Sequence, residues 1–360
     1  MKKKLFLSLI IGILISVAAL FFAFKNVPFY ELSKYIGKIN YFWIFPAFLV
    51  SIVCLIFRAI RWQIILIPSK KIDFWNAYHP LTIGFMVNCI LPGRLGEAVR
   101  PAYIKKKNSV PFSTGIATIA AERIFDLIFI ILFFVFIVKN IQIDPNLEIK
   151  FGNYNLNKET LNSIGWGMLN LLIFIVFTVI TISFAKTRNL IKKVIKAFPS
   201  IFFFSAFLKN KSNKWISLPF LIIVENIAKG FALVKHPSLI FYCAILSIII
   251  WFLNAASFYL VAFGCPGINI NFFDMFLVMV IICFFIALPS VPGYWGLWEA
   301  GGIFALSLFG INVADAAGFT LVNHVVQIFF LMFTGIISII ATGTNISQIS
   351  TVDEPNIENL

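Results

Sequence analysis

Two groups of ionisable residues stand in otherwise apolar sequence. Arg94, Glu97 and Arg100 recur at intervals of three, so one helix face could alternate the signs. Glu122 and Asp126 share a face at i, i+4, and Arg123 reaches Asp126 at i, i+3. A charge within a bilayer costs about 2.5 to 3.5 kcal/mol on insertion scales unless it is paired or wetted. Two kinds of chemistry would justify that cost. The charges could form an ion-pair network that locks helices together, or the guanidinium groups could hold a phosphate bidentately while helix N-termini supply N–H donors. A mixed role is favoured. Arg94 and Arg123 are the leading phosphate contacts, with Asn88 and Arg100 beside them, and Glu97, Glu122 and Asp126 position the arginines. Arg58 and Arg61 rank lower, as ion-pair or topogenic residues at a helix end.

Later in the chain Glu299 stands alone, with no Lys or Arg after Lys235. It is read as protonated, as hydrogen-bonded to the opposing hairpin, or as a receiver for a cationic head group. Asn323, His324 and Gln327 read as a satisfied polar cluster ahead of a proton relay. Tyr294, Trp295 and Trp298 suit an interfacial belt at least as well as a head-group cage. There is no P-loop, HExxH or GxSxG, so catalysis is the weaker reading. The five cysteines lack paired spacing, and neither metal nor cofactor is expected.

The elements that must position these groups are two interruptions. Pro92-Gly93-Arg94-Leu95-Gly96-Glu97 follows one apolar run, and Pro289 through Pro292-Gly293 and Gly296 to Glu299 follows another. Proline removes a backbone donor and glycine exposes peptide groups, so each reads as a helix broken inside the membrane, tolerated only against protein or a wet cavity.

The surrounding composition is that of a polytopic helical membrane protein: 60% hydrophobic residues and a mean hydropathy of +0.95. The net charge of +14 is regional, which points to membrane orientation rather than nucleic acid. Full spans are expected at residues 5–24, 41–57, 115–138, 163–185, 237–262 and 316–341. Residues 74–107 are flanked by basic residues on both sides, which favours a hairpin dipping in from the cytoplasm, whereas 272–310 has no basic residue and would enter from outside. The fold class is therefore all-α, about six full transmembrane helices plus two re-entrant helical hairpins. Residues 186–235 form a basic segment, read evenly as amphipathic helices on the anionic inner leaflet or as a solvated loop.

The halves resemble one another. Residues 72–76 match 270–274, and Glu122, Arg123 and Asp126 fall opposite Asn323, His324 and Gln327. Each half reads span, broken hairpin, span, over residues 41–138 and 237–342, and the odd helix between them inverts the second copy. Inverted repeats with discontinuous helices are the signature of secondary transporters.

Asn88 through Arg100, Glu122-Arg123-x-x-Asp126, Pro289-x-x-Pro292-Gly293-x-x-Gly296-x-x-Glu299 and Arg58-x-x-Arg61-Trp62 together resemble the lysylphosphatidylglycerol synthase transmembrane family. The resemblance covers about residues 5–345 and implies a flippase-like domain that moves lipid between leaflets. Aminoacylating members carry a soluble synthase domain after the bundle; this chain stops at Leu360, so aminoacyl transfer is not expected. The function expected is translocation of a phospholipid or polyprenyl-phosphate-linked lipid across a bacterial-type cytoplasmic membrane. Both termini would be cytoplasmic, with residues 1–345 one domain and 346–360 a short acidic tail. The alternatives are a lipid-phosphate-modifying enzyme or a scaffold of an envelope pathway. The expected partners are those lipids, the anionic leaflet, and a second copy or an envelope-synthesis enzyme.

Overall fold

The structure is a computed structural model. It describes residues 14–91 except 15, 22 and 26, then 94–140, 149–151, 154–156, 158–202, parts of 218–228, 231–288 and 291–344. Pro92, Gly93, Pro289 and the acidic tail lie outside the described residues.

Apolar sequence with few internal breakers gives long helices, and the breaks divide them. In chain order they are α1 (Phe29–Ile36), α2 (Ile44–Leu66), α3 (Phe74–Ile90), α4 (Gly96–Asn108), α5 (Phe112–Asn140), α6 (Lys158–Ser183), α7 (Ala185–Phe202), α8 (Pro237–Gly264), α9 (Phe272–Ile286), α10 (Leu297–Ser307) and α11 (Val313–Thr342). Among the described residues four stretches are long and apolar enough to cross a membrane: Tyr41–Leu66, Gly165–Ser183, Pro237–Gly264 and Val313–Thr342. Helix α5 has the length, 29 residues, but carries Glu122, Arg123 and Asp126. Most of the expected first span lies outside the described residues; its described positions are helical, and Ser16 Oγ accepts from Val291 N at 3.2 Å.

At 17, 13, 15 and 11 residues, helices α3, α4, α9 and α10 are each shorter than the roughly 20 residues a crossing needs. They pack as two pairs, α3 against α4 and α9 against α10, so each pair is a helix–break–helix unit. The first pair closes through glycine. A Cβ on Gly96 would lie 1.8 Å from the Gly84 carbonyl oxygen, a distance no backbone tolerates.

Packing repeats between the halves. Helices α2–α3, α3–α4 and α4–α5 contact in sequence, and α8–α9, α9–α10 and α10–α11 do the same. The equivalent helices α2 and α8 form the most extensive interface, and they run antiparallel: Ser51 meets Ser257 at 2.9 Å, while Arg61, farther along α2, meets Ser247, nearer the start of α8. Equivalent helices packed in opposite directions make an approximate two-fold relation. Arg94 and Tyr294, each the second residue after its proline, both adopt left-handed backbone (φ 55° and 62°). Their side chains meet, with the guanidinium 5.9 Å from the ring centroid.

Two regions differ from expectation. Helix α2 continues past residue 57 to Leu66, which carries Arg58 and Arg61 into the bundle instead of onto its surface. The loop after α5 contains an antiparallel ribbon, Ile149–Phe151 with Tyr154–Leu156, too short to leave an alternating pattern in sequence. Helix α7 presents Leu190 and Val194 outward beside its basic residues, while Ile191 and Ile195 pack inward and Lys192 pairs with Glu225.

Candidate functional site

The charges of the first half converge on Glu122. This residue is wholly buried and its carboxylate lies 2.6 Å from Arg100, 3.3 Å from Arg61 and 3.5 Å from Arg123. Arg61, also wholly buried, reaches Asp126 at 2.7 Å and donates to Ser247 Oγ at 2.8 Å. Arg100 lies over the Trp62 ring at 4.2 Å, and Trp62 Nε1 donates to Thr118. Helices α2, α4, α5 and α8 are thus joined at one point. Breaking a buried pair by removing one partner costs about 3–5 kcal/mol, because the other charge is left uncompensated.

Charges do not balance there. Arg61, Arg100 and Arg123, with Arg58 on the same cavity as Arg123, accompany Glu122 and Asp126, an excess of two positive charges. Arg123 is the outermost member of the network, with its side chain 35% exposed and 3.5 Å from Asp126. Arg58 has no carboxylate within 4 Å among the described residues; its guanidinium lies over Phe85 and Trp251.

Arg58, Arg123 and Asp126 all face a cavity of about 230 Å³ between the halves. Asn88 and Cys89 border it from the end of α3, Asn254 from α8, Tyr294 and Trp298 from the second break, and His324 and Gln327 from α11. The lining thus combines cationic and aromatic side chains. The aligned residues Arg123 and His324 face the space from opposite halves, as do Asp126 and Gln327.

Each break is held by a polar side chain. Asn88 Oδ1 accepts from Gly96 N at 2.8 Å, which caps α4 across the first break. Arg94 donates to the carbonyl of Ile286 at 2.9 Å, tying the first break to the end of α9. At the second break Glu299 Oε2 accepts from Gly296 N at 2.7 Å, and Glu299 Oε1 lies 2.5 Å from His324 Nδ1. His324 Nε2 faces the Gly293 carbonyl at 2.7 Å, and the imidazole stacks on Trp298 with Trp295 on its other flank.

Several expected positions are therefore corrected. Glu299 is not alone; its partner is a histidine, which a search for Lys and Arg overlooks. Arg61 sits at the centre of the ion-pair network rather than at a helix end, because Glu122 and Asp126 offer it charge compensation. Arg100 is 2% exposed and paired with Glu122, and it is not among the residues that line the cavity. Arg94 is outside the cavity, while Arg58 is on its wall. Glu97 is half-buried but forms no ion pair among the described residues. Asn323, aligned with Glu122, is buried with neither amide atom partnered among the described residues, so the cluster expected with His324 and Gln327 is not fully satisfied. Gly84, Ser247 and Asn254 were not singled out; small or neutral residues on apolar helices give no signal until a partner is placed against them.

The family described as the lysylphosphatidylglycerol synthase TM region matches residues 9–335. A UPF0104 membrane protein of Methanocaldococcus jannaschii is 25% identical over 262 residues, covering 72% of this chain and 95% of that protein. The glycosyltransferase AglD of Haloferax volcanii is 21% identical over 369 residues, covering 96% of this chain but 56% of that protein. This chain therefore spans little more than half of AglD. No solved structure matches.

Proposed function

The chain belongs to the lysylphosphatidylglycerol synthase transmembrane family, and from that premise we propose that it moves a phosphate-bearing lipid, a phospholipid or a polyprenyl-phosphate-linked lipid, between the leaflets of its membrane. One observation carries the reading: a cavity between two helix breaks is lined by Arg58 and Arg123 and borders a charge cluster with two positive charges in excess. Excess cations inside a membrane protein call for an anion, and a phosphate takes guanidinium groups bidentately.

In this account the paired helices dip into the membrane from opposite faces and their breaks meet near its middle. The head group enters the cavity while the acyl chains stay in the bilayer. Arg58 and Arg123 contact the phosphate. Asp126 holds Arg123 in place, and Glu122 with Arg61 and Arg100 fixes the helices from which they project. The chain is similar to a UPF0104 membrane protein and to a little over half of the glycosyltransferase AglD, which fits a lipid or glycan pathway.

Native mass spectrometry of the detergent-purified chain tests the binding step. Phosphate lipids should be retained by the wild type and lost from Arg58→Met/Arg123→Met at equal yield. Equal retention by both removes these two residues from the site.

A further inference from the structure

His324 stands between two acceptors. Its Nδ1 faces the Glu299 carboxylate at 2.5 Å and its Nε2 faces the Gly293 carbonyl at 2.7 Å. A neutral imidazole has one N–H, and a carbonyl cannot donate. Both contacts are therefore bonds only if the pair holds one proton more than neutral histidine with ionised glutamate. That proton rests on Nδ1 or is shared with Oε1, while Nε2–H donates to Gly293. Without it, two lone pairs face each other at hydrogen-bonding distance in a buried site, and the groups must part.

The same pair holds the second break. Glu299 Oε2 accepts from Gly296 N, His324 Nε2 reaches Gly293 O, and both glycines have left-handed backbone, at φ 89° and 70°. Loss of the proton sets Glu299 and His324 against each other, and the side chain that moves away gives up the backbone group of the break that it holds. We propose that Glu299 and His324 form a proton-binding site which takes up one proton with the phosphate lipid and releases it as the second break loosens, so that lipid and proton move together.

The direction of coupling follows from the charges facing the cavity. Arg58 from α2 and Arg123 from α5 oppose a further positive charge, and Asp126 from α5 favours it. Tyr294 beside the second break, Cys54 of α2, Cys89 of α3 and Cys283 of α9 are the other titratable groups on its wall; α8 contributes the neutral Asn254 and α11 the neutral Gln327. A phosphate bound to the arginines cancels their repulsion, so an anionic lipid and the proton strengthen each other's binding, as linkage requires. Trp295 and Trp298 flank the imidazole and suit its cationic form.

Coupling rests on the transport reading, but proton binding can be measured without it. The first arm is hydrogen exchange of residues 291–299 in the full chain, in nanodiscs of phosphatidylcholine with or without phosphatidylglycerol, between about pH 5.5 and 8.5, where histidine titrates. After correction for the chemical rate, wild-type exchange should rise at least about tenfold with pH, a loss of about 1.4 kcal/mol of protection, and phosphatidylglycerol should move the rise to higher pH. In Glu299→Gln the amide donates to Nδ1 and still accepts from Gly296, so a neutral histidine keeps the break closed and the profile should be flat. A flat wild-type profile, or one that phosphatidylglycerol does not shift, overturns the proposal. The second arm follows acyl-labelled fluorescent phosphatidylglycerol in proteoliposomes under a pH gradient. Acid on the side of departure should speed movement in the wild type, and the gradient should have no effect in Glu299→Gln. Movement indifferent to the gradient in the wild type sinks the coupling and leaves transport standing. No movement under any gradient counts against transport, with proton binding judged by the exchange arm.

Discussion

Replacing Glu122 by Gln keeps the shape of the side chain and removes one charge from the centre of the network. Three arginines lie within 3.5 Å of this carboxylate, and the group is wholly buried. After the change Asp126 is the remaining close carboxylate for Arg61 and Arg123, and Arg100 has none within 4 Å among the described residues. Removing one partner of a buried ion pair costs about 3–5 kcal/mol. Unfolding from mixed micelles by a denaturing detergent, followed by circular dichroism, should show a loss in that range. Adding Arg100→Met restores the charge difference and leaves a side chain that packs well on Trp62, so the double variant should recover at least about 1 kcal/mol relative to the sum of the singles. Arg58→Met should cost under about 0.5 kcal/mol, because that guanidinium has no carboxylate partner to strand. If Glu122→Gln costs less than about 1 kcal/mol, the network is not what holds α2, α4 and α5 together, and the division between structural and cavity arginines fails.

Other outcomes follow from close approaches. Gly96→Ala drives a methyl into the Gly84 carbonyl, so the first hairpin cannot close; the cost should exceed the roughly 1–3 kcal/mol of ordinary overpacking, seen as lost monodisperse yield on size-exclusion chromatography. Ser51→Cys with Ser257→Cys, in a chain whose native cysteines are changed to Ala, should cross-link on mild oxidation, since the hydroxyls lie 2.9 Å apart. Failure of that pair to cross-link would contradict the antiparallel packing of α2 on α8. Arg94→Met should raise hydrogen exchange at the end of α9, whose Ile286 carbonyl it caps, without reducing retained phosphate lipid.

The helical class and both interruptions were legible because proline, glycine and hydropathy act locally. Partnerships across the bundle were not. Arg61 and Glu122 are separated by 61 positions, and nothing in the periodicity of α2 distinguishes an arginine that ends a span from one enclosed within it. Glu299 and His324 are 25 positions apart on different helices, so neither could be assigned to the other. Arg94 is taken up by the Ile286 carbonyl of α9 from a left-handed backbone position, a partnership that residue type and spacing cannot express.

The central claim is that lipid phosphate crosses by way of Arg58 and Arg123 in the space between the breaks. Proteoliposomes carrying acyl-labelled phosphatidylglycerol and, in parallel, a labelled polyprenyl phosphate measure this directly, by the fraction of inner-leaflet label that becomes accessible to an external quencher. Wild-type protein should equilibrate at least one of the two lipids, and Arg58→Met/Arg123→Met, reconstituted at equal density and with wild-type stability, should slow that lipid at least about a hundredfold, as the loss of two charge-assisted contacts implies. Equal rates in wild type and double variant would contradict the account.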